Sequence, residues 1–271
     1  MPELPEVEFC ARKLRGWLDG RRIDAVEATP GRPLIDVDPV ALARDLVGRR
    51  VAGIRRLGKQ LFVDLSGERC LLVHLGMTGK WVPRAAQKRK HARLSLRLDD
   101  GRWLDFIDPR KFGRIRLLRS AALESDPEIG RLGPDALLLS RQPRTLRPIL
   151  QRTKRAIKVA LLDQSLLAGV GNIYAAEALH RVRVDPRAPA DTLSPRKSAA
   201  LARALGAVMT ESLERETDDE ITYLQEARAS NPFDVYGREG EACVQCGGEI
   251  RRFVQQARST FWCPRCQRPK I

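Results

Sequence analysis

A chain of 271 residues, 43% of them apolar, is long enough for two modest domains or one large domain with an appended module. Lys and Arg outnumber Asp and Glu by 49 to 34, a formal charge of +15, which points to a polyanionic partner: nucleic acid first, with ribosome association, an anionic membrane surface or an Arg-rich genome as alternatives. No apolar run is long enough to span a bilayer, and Met1-Pro2-Glu3-Leu4-Pro5-Glu6 carries acids where a secretory signal would be basic, so a folded, cytoplasmic protein without a membrane partner is expected.

The chain opens on its most unusual residues. Removal of Met1 would leave Pro2 as a secondary amine, and an α-amino group titrates near ~7.7 to 8, so part of it is nucleophilic at neutral pH. Such an amine can attack a sugar C1′ and form an iminium. Glu3 and Glu6 sit beside it; on these residues alone, a leader that merely starts a helix is the plainer reading.

Between Glu8 and Leu18, the residues Cys10, Leu14, Trp17 and Leu18 recur at helical spacing, predicting a helix. From Ile23 to about Leu118 short apolar stretches alternate with turn signals. Residues 50–54, 60–65, 70–75, 94–98 and 103–106 read as strands of an antiparallel sandwich, with Asp99-Asp100-Gly101 as a hairpin turn. After a stretch punctuated by Pro and Gly, the period becomes helical, with Ile149, Leu150, Ala156, Ile157, Ala160 and Leu161 on one face, so a second domain begins near there. Gly169-Val170-Gly171-Asn172 exposes backbone N–H groups at a helix start, a seat for a phosphate, although glycine turns between helices are common. Ser194-Pro195 reads as an N-cap followed by proline at the first helical position, opening a helix to about Glu214.

Cys243-Val244-Gln245-Cys246 and Cys263-Pro264-Arg265-Cys266 supply four thiolates from two tight turns, the spacing of a tetrahedral zinc site. A redox role is the weaker reading, because no helix follows either pair. Four protein ligands leave no open position, so the metal would organise a fold and perform no hydrolysis. It would present the intervening hairpin, whose cations and two aromatics suit a phosphate backbone. Cys10 and Cys70 stand alone and read as packing or ordinary surface thiols.

Taken in order, Met1-Pro2-Glu3-Leu4-Pro5-Glu6-Val7-Glu8, Gly58-Lys59, His74-Leu75-Gly76-Met77, Asp108-Pro109-Arg110-Lys111-Phe112-Gly113, Gly169-Val170-Gly171-Asn172-Ile173-Tyr174, Val235-Tyr236-Gly237-Arg238 and the four-cysteine hairpin resemble the formamidopyrimidine-DNA glycosylases over essentially the whole chain. The resemblance implies an α+β protein. A helix and an N-terminal two-layered antiparallel β-sandwich (1–133) would be joined by a linker (134–149) to a C-terminal helical helix-two-turn-helix domain (150–238). A four-cysteine zinc finger (239–271) would follow, with double-stranded damaged DNA in the cleft between, one structural zinc and a monomeric state. It further implies removal of oxidised or ring-opened bases, formamidopyrimidines above all, and nicking of the abasic site by β,δ-elimination.

By match to the family's motifs, Pro2 would be the Schiff-base nucleophile and Glu3 the acid that protonates the opening deoxyribose. Lys59 would be the donor in β-elimination and Arg258 the phosphate ligand of δ-elimination. Met77, Arg110 and Phe112 match the residues inserted into the void left by a flipped base, where an apolar wedge and a cation offset a few kcal/mol of lost stacking. His74, His91, Lys158 and Asn172 match positions that touch the DNA backbone, and Glu6 and Tyr236 are assigned to DNA binding with them; Cys243, Cys246, Cys263 and Cys266 would hold zinc. Two departures bear on function. The family's Gly-Gly-Thr-Thr-like stretch and glycine-containing loop are replaced by a shorter segment opening on Arg215-Glu216-Thr217-Asp218-Asp219-Glu220, which predicts weak handling of 8-oxoguanine relative to ring-opened bases. Thr153 replaces a lysine that would approach phosphate. The rival readings are an endonuclease VIII-like glycosylase for oxidised pyrimidines, opposed by Leu4 and the intact Met77, Arg110 and Phe112, and a catalytically silent damaged-DNA-binding protein, opposed by Pro2, Glu3 and Lys59.

Overall fold

The computed structural model describes residues 2–31, 38–215 and 231–268. They fall into two compact units, one within 1–130 and the other comprising 131–215 and 231–268.

The first unit starts with α1 (Leu4–Leu18), which buries Leu4, Val7, Ala11, Leu14 and Leu18 along one stripe. The helix begins earlier than apolar spacing predicts because Glu3 and Glu6 form a reciprocal capping box and Pro5 suits the first turn. Two four-stranded antiparallel sheets follow. One has the order β1 (Ile23–Ala28), β6 (Ala92–Leu98), β7 (Trp103–Ile107), β5 (Lys80–Pro83); the other runs β2 (Val51–Leu57), β3 (Gln60–Leu65), β4 (Arg69–His74), β8 (Arg114–Arg119). Strands β3 and β4 are buried on both faces, which explains their unbroken apolar runs. Phe62, Cys70 and Leu72 pack against Leu123, so Cys70 is core, and Cys10 is buried within α1. A second helix, α2 (Pro39–Leu46), is capped by Asp38, whose carboxylate accepts the N–H groups of Val40 and Ala41.

The second unit is helical. Within residues 134–149, expected as linker, stands α3 (Ala136–Leu139), capped by Asp135, and α4 (Leu146–Leu150) begins; both pack on the long α7 (Pro195–Arg215). A Cβ at Gly206 would lie 2.4 Å from Ser140 Oγ, so this close approach to α7 requires glycine. Helices α5 (Ile157–Leu162) and α6 (Asn172–Arg181) are the pair joined by the glycine turn, and α6 packs on α7. The Ser194 hydroxyl accepts the Lys197 N–H at 3.3 Å, the N-cap that its sequence announces. The unit ends in the antiparallel hairpin of β9 (Arg251–Gln255) and β10 (Arg258–Trp262), flanked by the two cysteine pairs. Among the described residues no helix is long and apolar enough to cross a membrane.

Candidate active site and nucleic-acid interface

Pro2 and Glu3 precede α1 directly and are both buried, Glu3 being 3% exposed. The Glu3 carboxylate accepts the Glu6 N–H while Glu6 Oε2 accepts the Glu3 N–H at 2.7 Å, which fixes both acids beside Pro2. Leu57 pairs with Gln60, so Gly58-Lys59 is a two-residue hairpin loop, with Gly58 at φ 56°. Arg56, nearly buried, donates from Nε to Glu8 at 2.8 Å and from Nη1 to the Gly58 carbonyl at 3.0 Å. It pins the Lys59 loop to the N-terminal half of α1. Burial opposes the ionisation of Glu8, but the hydrogen bond and charge of Arg56, helped by Arg15 and Arg12, outweigh it and hold the carboxyl below its usual range.

His74 pairs with Gln60 across the β3–β4 ladder, next to the Lys59 loop. Burial, then the charges of Arg114 and Lys59, push its pKa down to about 4, so the ring is neutral at pH 7. Its Nδ1 accepts the Gly76 N–H at 3.0 Å, leaving the proton on Nε2. A neutral Nε2–H can donate to an anionic oxygen without proton uptake.

Met77 and the Arg110-Lys111-Phe112 segment lie on two loops in backbone contact: a Cβ on Gly76, at φ 66°, would stand 2.3 Å from the Phe112 carbonyl carbon. Arg110 and Phe112 are exposed, with the guanidinium 4.9 Å from the ring centroid. His91 is exposed too, at φ 65°, and its carbonyl accepts the Asp108 N–H at 3.1 Å.

In the second unit, Gln164 shapes the glycine turn by donating to the Leu162 and Val170 carbonyls and accepting the Gly169 N–H. Asn172 opens α6, and its Nδ2 donates to the Ser259 carbonyl at 2.9 Å. Lys158 is 1% exposed, and its Nζ donates to Asn172 Oδ1 at 2.6 Å, Thr260 Oγ1 at 2.8 Å and the Ser259 carbonyl at 3.1 Å. It stands behind Asn172 and joins α5, α6 and β10. Arg258 is exposed, at the foot of a tight turn in which Gln256 (φ 46°) and Ala257 (φ 57°) are both left-handed. It lines a groove with Arg155, Lys158, Gln255 and Gln256. Thr153 Oγ1 accepts from Arg155 Nε at 3.0 Å and so orients an arginine. Tyr236 packs edge-on against Phe233 and Phe261, and its N–H, with those of Asp234 and Val235, donates to the buried Glu177 carboxylate. The acidic segment expected to alter the cover over a flipped base falls mostly on 216–230, outside the described residues.

The sulfurs of Cys243, Cys246, Cys263 and Cys266 all lie within 4.8 Å of one another, with Cys246–Cys263 at 3.6 Å and Cys243–Cys266 at 3.9 Å. Four thiolates bound ~2.3 Å from a tetrahedral ion stand ~3.8 Å apart, so the set fits zinc. Fully buried His180 places Nε2 3.2 Å from Cys243 Sγ, and the Gly248 N–H donates to Cys246 Sγ at 3.4 Å; such donors orient and stabilise metal-bound thiolate.

The chain is similar to known proteins in both sequence and fold. It matches the formamidopyrimidine-DNA glycosylase N-terminal domain over residues 1–115, the formamidopyrimidine-DNA glycosylase H2TH domain over 132–223 and the zinc finger found in FPG and IleRS over 240–269. It is 39% identical to a formamidopyrimidine-DNA glycosylase of Novosphingobium aromaticivorans, across 99% of this chain and 100% of that protein. The chain belongs to the formamidopyrimidine-DNA glycosylase family. The crystal structure of the MutM (Fpg) protein of Thermus thermophilus superposes with a TM-score of 0.82 at 37% identity over 98% of each chain. The Lactococcus lactis Fpg bound to abasic-site DNA gives 0.84 at 28% identity over 99% of this chain and 100% of that one. As a member of this family the chain is a DNA glycosylase of base-excision repair whose four-cysteine finger holds a structural zinc.

Sequence reasoning missed four contributors. Asp108 stood inside a motif already singled out and Glu177 three residues past another, both acids that a buried hydrogen-bonding role would explain. Nothing in the sequence tied Arg56 to Glu8 or His180 to Cys243, because each link depends on which elements pack together.

Proposed function

We propose that this chain is a bifunctional glycosylase and abasic-site lyase, acting as a monomer in the cytoplasm on double-stranded DNA with ring-opened or oxidised bases, and carrying its chemistry on Pro2. The observation that supports this most is the Pro2-Glu3 pair, buried at the start of α1 with the Glu3 carboxylate oriented by the Glu6 N–H. The Lactococcus lactis relative has been solved with abasic-site DNA and with DNA containing N7-benzyl-Fapy-dG, the same lesion classes.

The Pro2 nitrogen bonds to C1′ as the bond from C1′ to the base breaks, the base leaving with the electron pair and taking a proton from water. The proton released by the amine passes to Glu3, which returns it to O4′ as the ring opens to an iminium. Water takes the C2′ proton made acidic by the iminium, its electron pair forms the C2′=C3′ double bond, and the C3′–O bond breaks to expel the 3′ phosphate, with Lys59 donating to the departing oxygen. A second elimination releases the 5′ phosphate beside Arg258, and water hydrolyses the iminium to free Pro2. His74 Nε2–H, His91 and the start of α6 at Asn172 hold backbone phosphates. Met77, Arg110 and Phe112 fill the gap left by the extruded nucleotide.

Borohydride reduction during turnover tests the reading, because only an imine is trapped as a stable protein–DNA adduct. A chain whose Pro2 nitrogen is blocked as an amide, by retained Met1 or by acylation of the processed terminus, should lose trapping and nicking while still binding abasic DNA. Undiminished lyase turnover in either would falsify the assignment of Pro2.

A further inference from the structure

We propose that Thr78 and Asp108 form a brace between the Met77 loop and the Arg110–Phe112 loop, and that this brace governs how well the three side chains enter the duplex together. The inference rests on the reading of Met77, Arg110 and Phe112 as the void-filling residues.

Asp108 is 0% exposed. Its Oδ1 accepts the Thr78 hydroxyl at 2.6 Å and its Oδ2 accepts the Gly113 N–H at 2.8 Å. Thr78 Oγ1 in turn accepts the Arg110 N–H at 3.4 Å. One buried carboxylate therefore ties the residue after Met77 to both ends of the segment carrying Arg110 and Phe112. Among the described residues no cation pairs with that carboxylate; the neighbouring Arg93 Nε donates to the Asp108 main-chain carbonyl instead, at 3.2 Å. Burying a carboxylate without a countercharge is costly, and a core could be filled more cheaply with apolar atoms, so positioning is the benefit that accounts for it.

The surroundings leave little slack. A Cβ at Gly113 would sit 3.0 Å from Asp108 Oδ2, and one at Gly76 would overlap Phe112. Lys111 at φ 57° and His91 at φ 65° hold left-handed backbone that side-chain-bearing residues adopt only where their setting dictates it. The Asp108 N–H also donates to the His91 carbonyl, which joins the loop of an expected phosphate contact to the same carboxylate residue. Three side chains from two loops must enter one gap at once, and a small displacement of one loop spoils their fit, much as loosely supported sites lose function without losing their residues. Thr78 and Asp108 are thus positioning residues that act through Met77, Arg110 and Phe112.

Thr78→Val keeps the volume and removes the hydroxyl, with Thr78→Ala as a second variant and Thr78→Ser as the conservative rescue. The measurements are single-turnover excision of a ring-opened base from duplex DNA, excision of the same base from single-stranded DNA, and fluorescence of 2-aminopurine placed opposite the lesion, which rises when that base loses its partner. Thr78→Val should slow duplex excision about tenfold or more, the scale of a lost hydrogen bond to a carboxylate. The duplex-to-single-strand rate ratio should fall and the 2-aminopurine response should shrink, with Thr78→Ser restoring both. Equal slowing on both substrates, or a duplex rate and fluorescence response matching the parent protein, overturns the brace. Met77→Ala separates the two readings: if it leaves the fluorescence response intact, the void-filling assignment has failed and not the brace alone.

Discussion

The surroundings of His74 leave it able to offer a proton to an anion while remaining uncharged. The Gly76 N–H occupies Nδ1, and burial with two nearby cations keeps the ring neutral to about pH 4. The same shift makes a statement about stability. The folded pKa lies below the ordinary value of 6.5, so the unfolded chain takes up the proton first; the contribution is present above pH 6.5 and is lost as pH falls towards 4. Linkage puts that loss at about 2 kcal/mol by pH 5. Denaturant titrations of the parent and His74→Gln at pH 7 and pH 5 should therefore show the parent losing about that much relative to the variant. A difference that does not change with pH would mean His74 titrates normally. Glu3 and Lys158 show the same dependence on setting: one is an acid fixed by a helix start, the other a cation whose protons point into the fold.

Among the elements, the cysteine hairpin depends most on something other than its own side chains. Its buried core is small, comprising Val235, Cys243, Ile250 and Cys263 around Ala176 of α6, so metal-binding free energy is much of its folding free energy. Cys263→Ser should release zinc and abolish duplex binding while the two sheets of the first unit keep their circular dichroism signature. Duplex affinity that survives zinc loss would make the finger dispensable. His180→Phe is the finer probe: losing the donor to Cys243 Sγ should weaken zinc retention against a chelator by about tenfold or more, the usual effect of removing a group that supports a metal ligand. Unaltered chelation kinetics would leave the contact as packing alone. The links from Lys158 and Asn172 to Ser259 and Thr260 carry any hairpin distortion to the start of α6.

For the whole molecule the governing quantity is the formal charge of +15, which favours association with any duplex and releases counterions as it does so. Affinity for abasic duplex should fall steeply and linearly on a log–log plot against salt. Arg258→Ala should lower the slope by about one, because Arg258 is exposed beside Arg155 in the groove. A slope identical to the parent's would remove Arg258 from the phosphate contacts.

The sequence by itself determined what depends on local geometry or regular spacing. Two Cys-X-X-Cys turns bring four sulfurs within reach of one ion, the Glu3–Glu6 spacing closes a capping box, and Ser194-Pro195 starts a helix whatever packs on it. Asp38-Pro39, which caps and opens α2, carries the same local signature. Strand positions β3 and β4 were legible because a run buried on both faces must be apolar throughout. Tertiary structure alone decided which polar groups meet. Thr78 and Asp108 stand 30 residues apart, His180 and Cys243 63, and Lys158 and Thr260 102. No period or local propensity encodes such pairs. Whether a lysine faces phosphate or the protein interior depends on the acceptors that folding places around it, and a buried ammonium is tolerable only where those acceptors already stand.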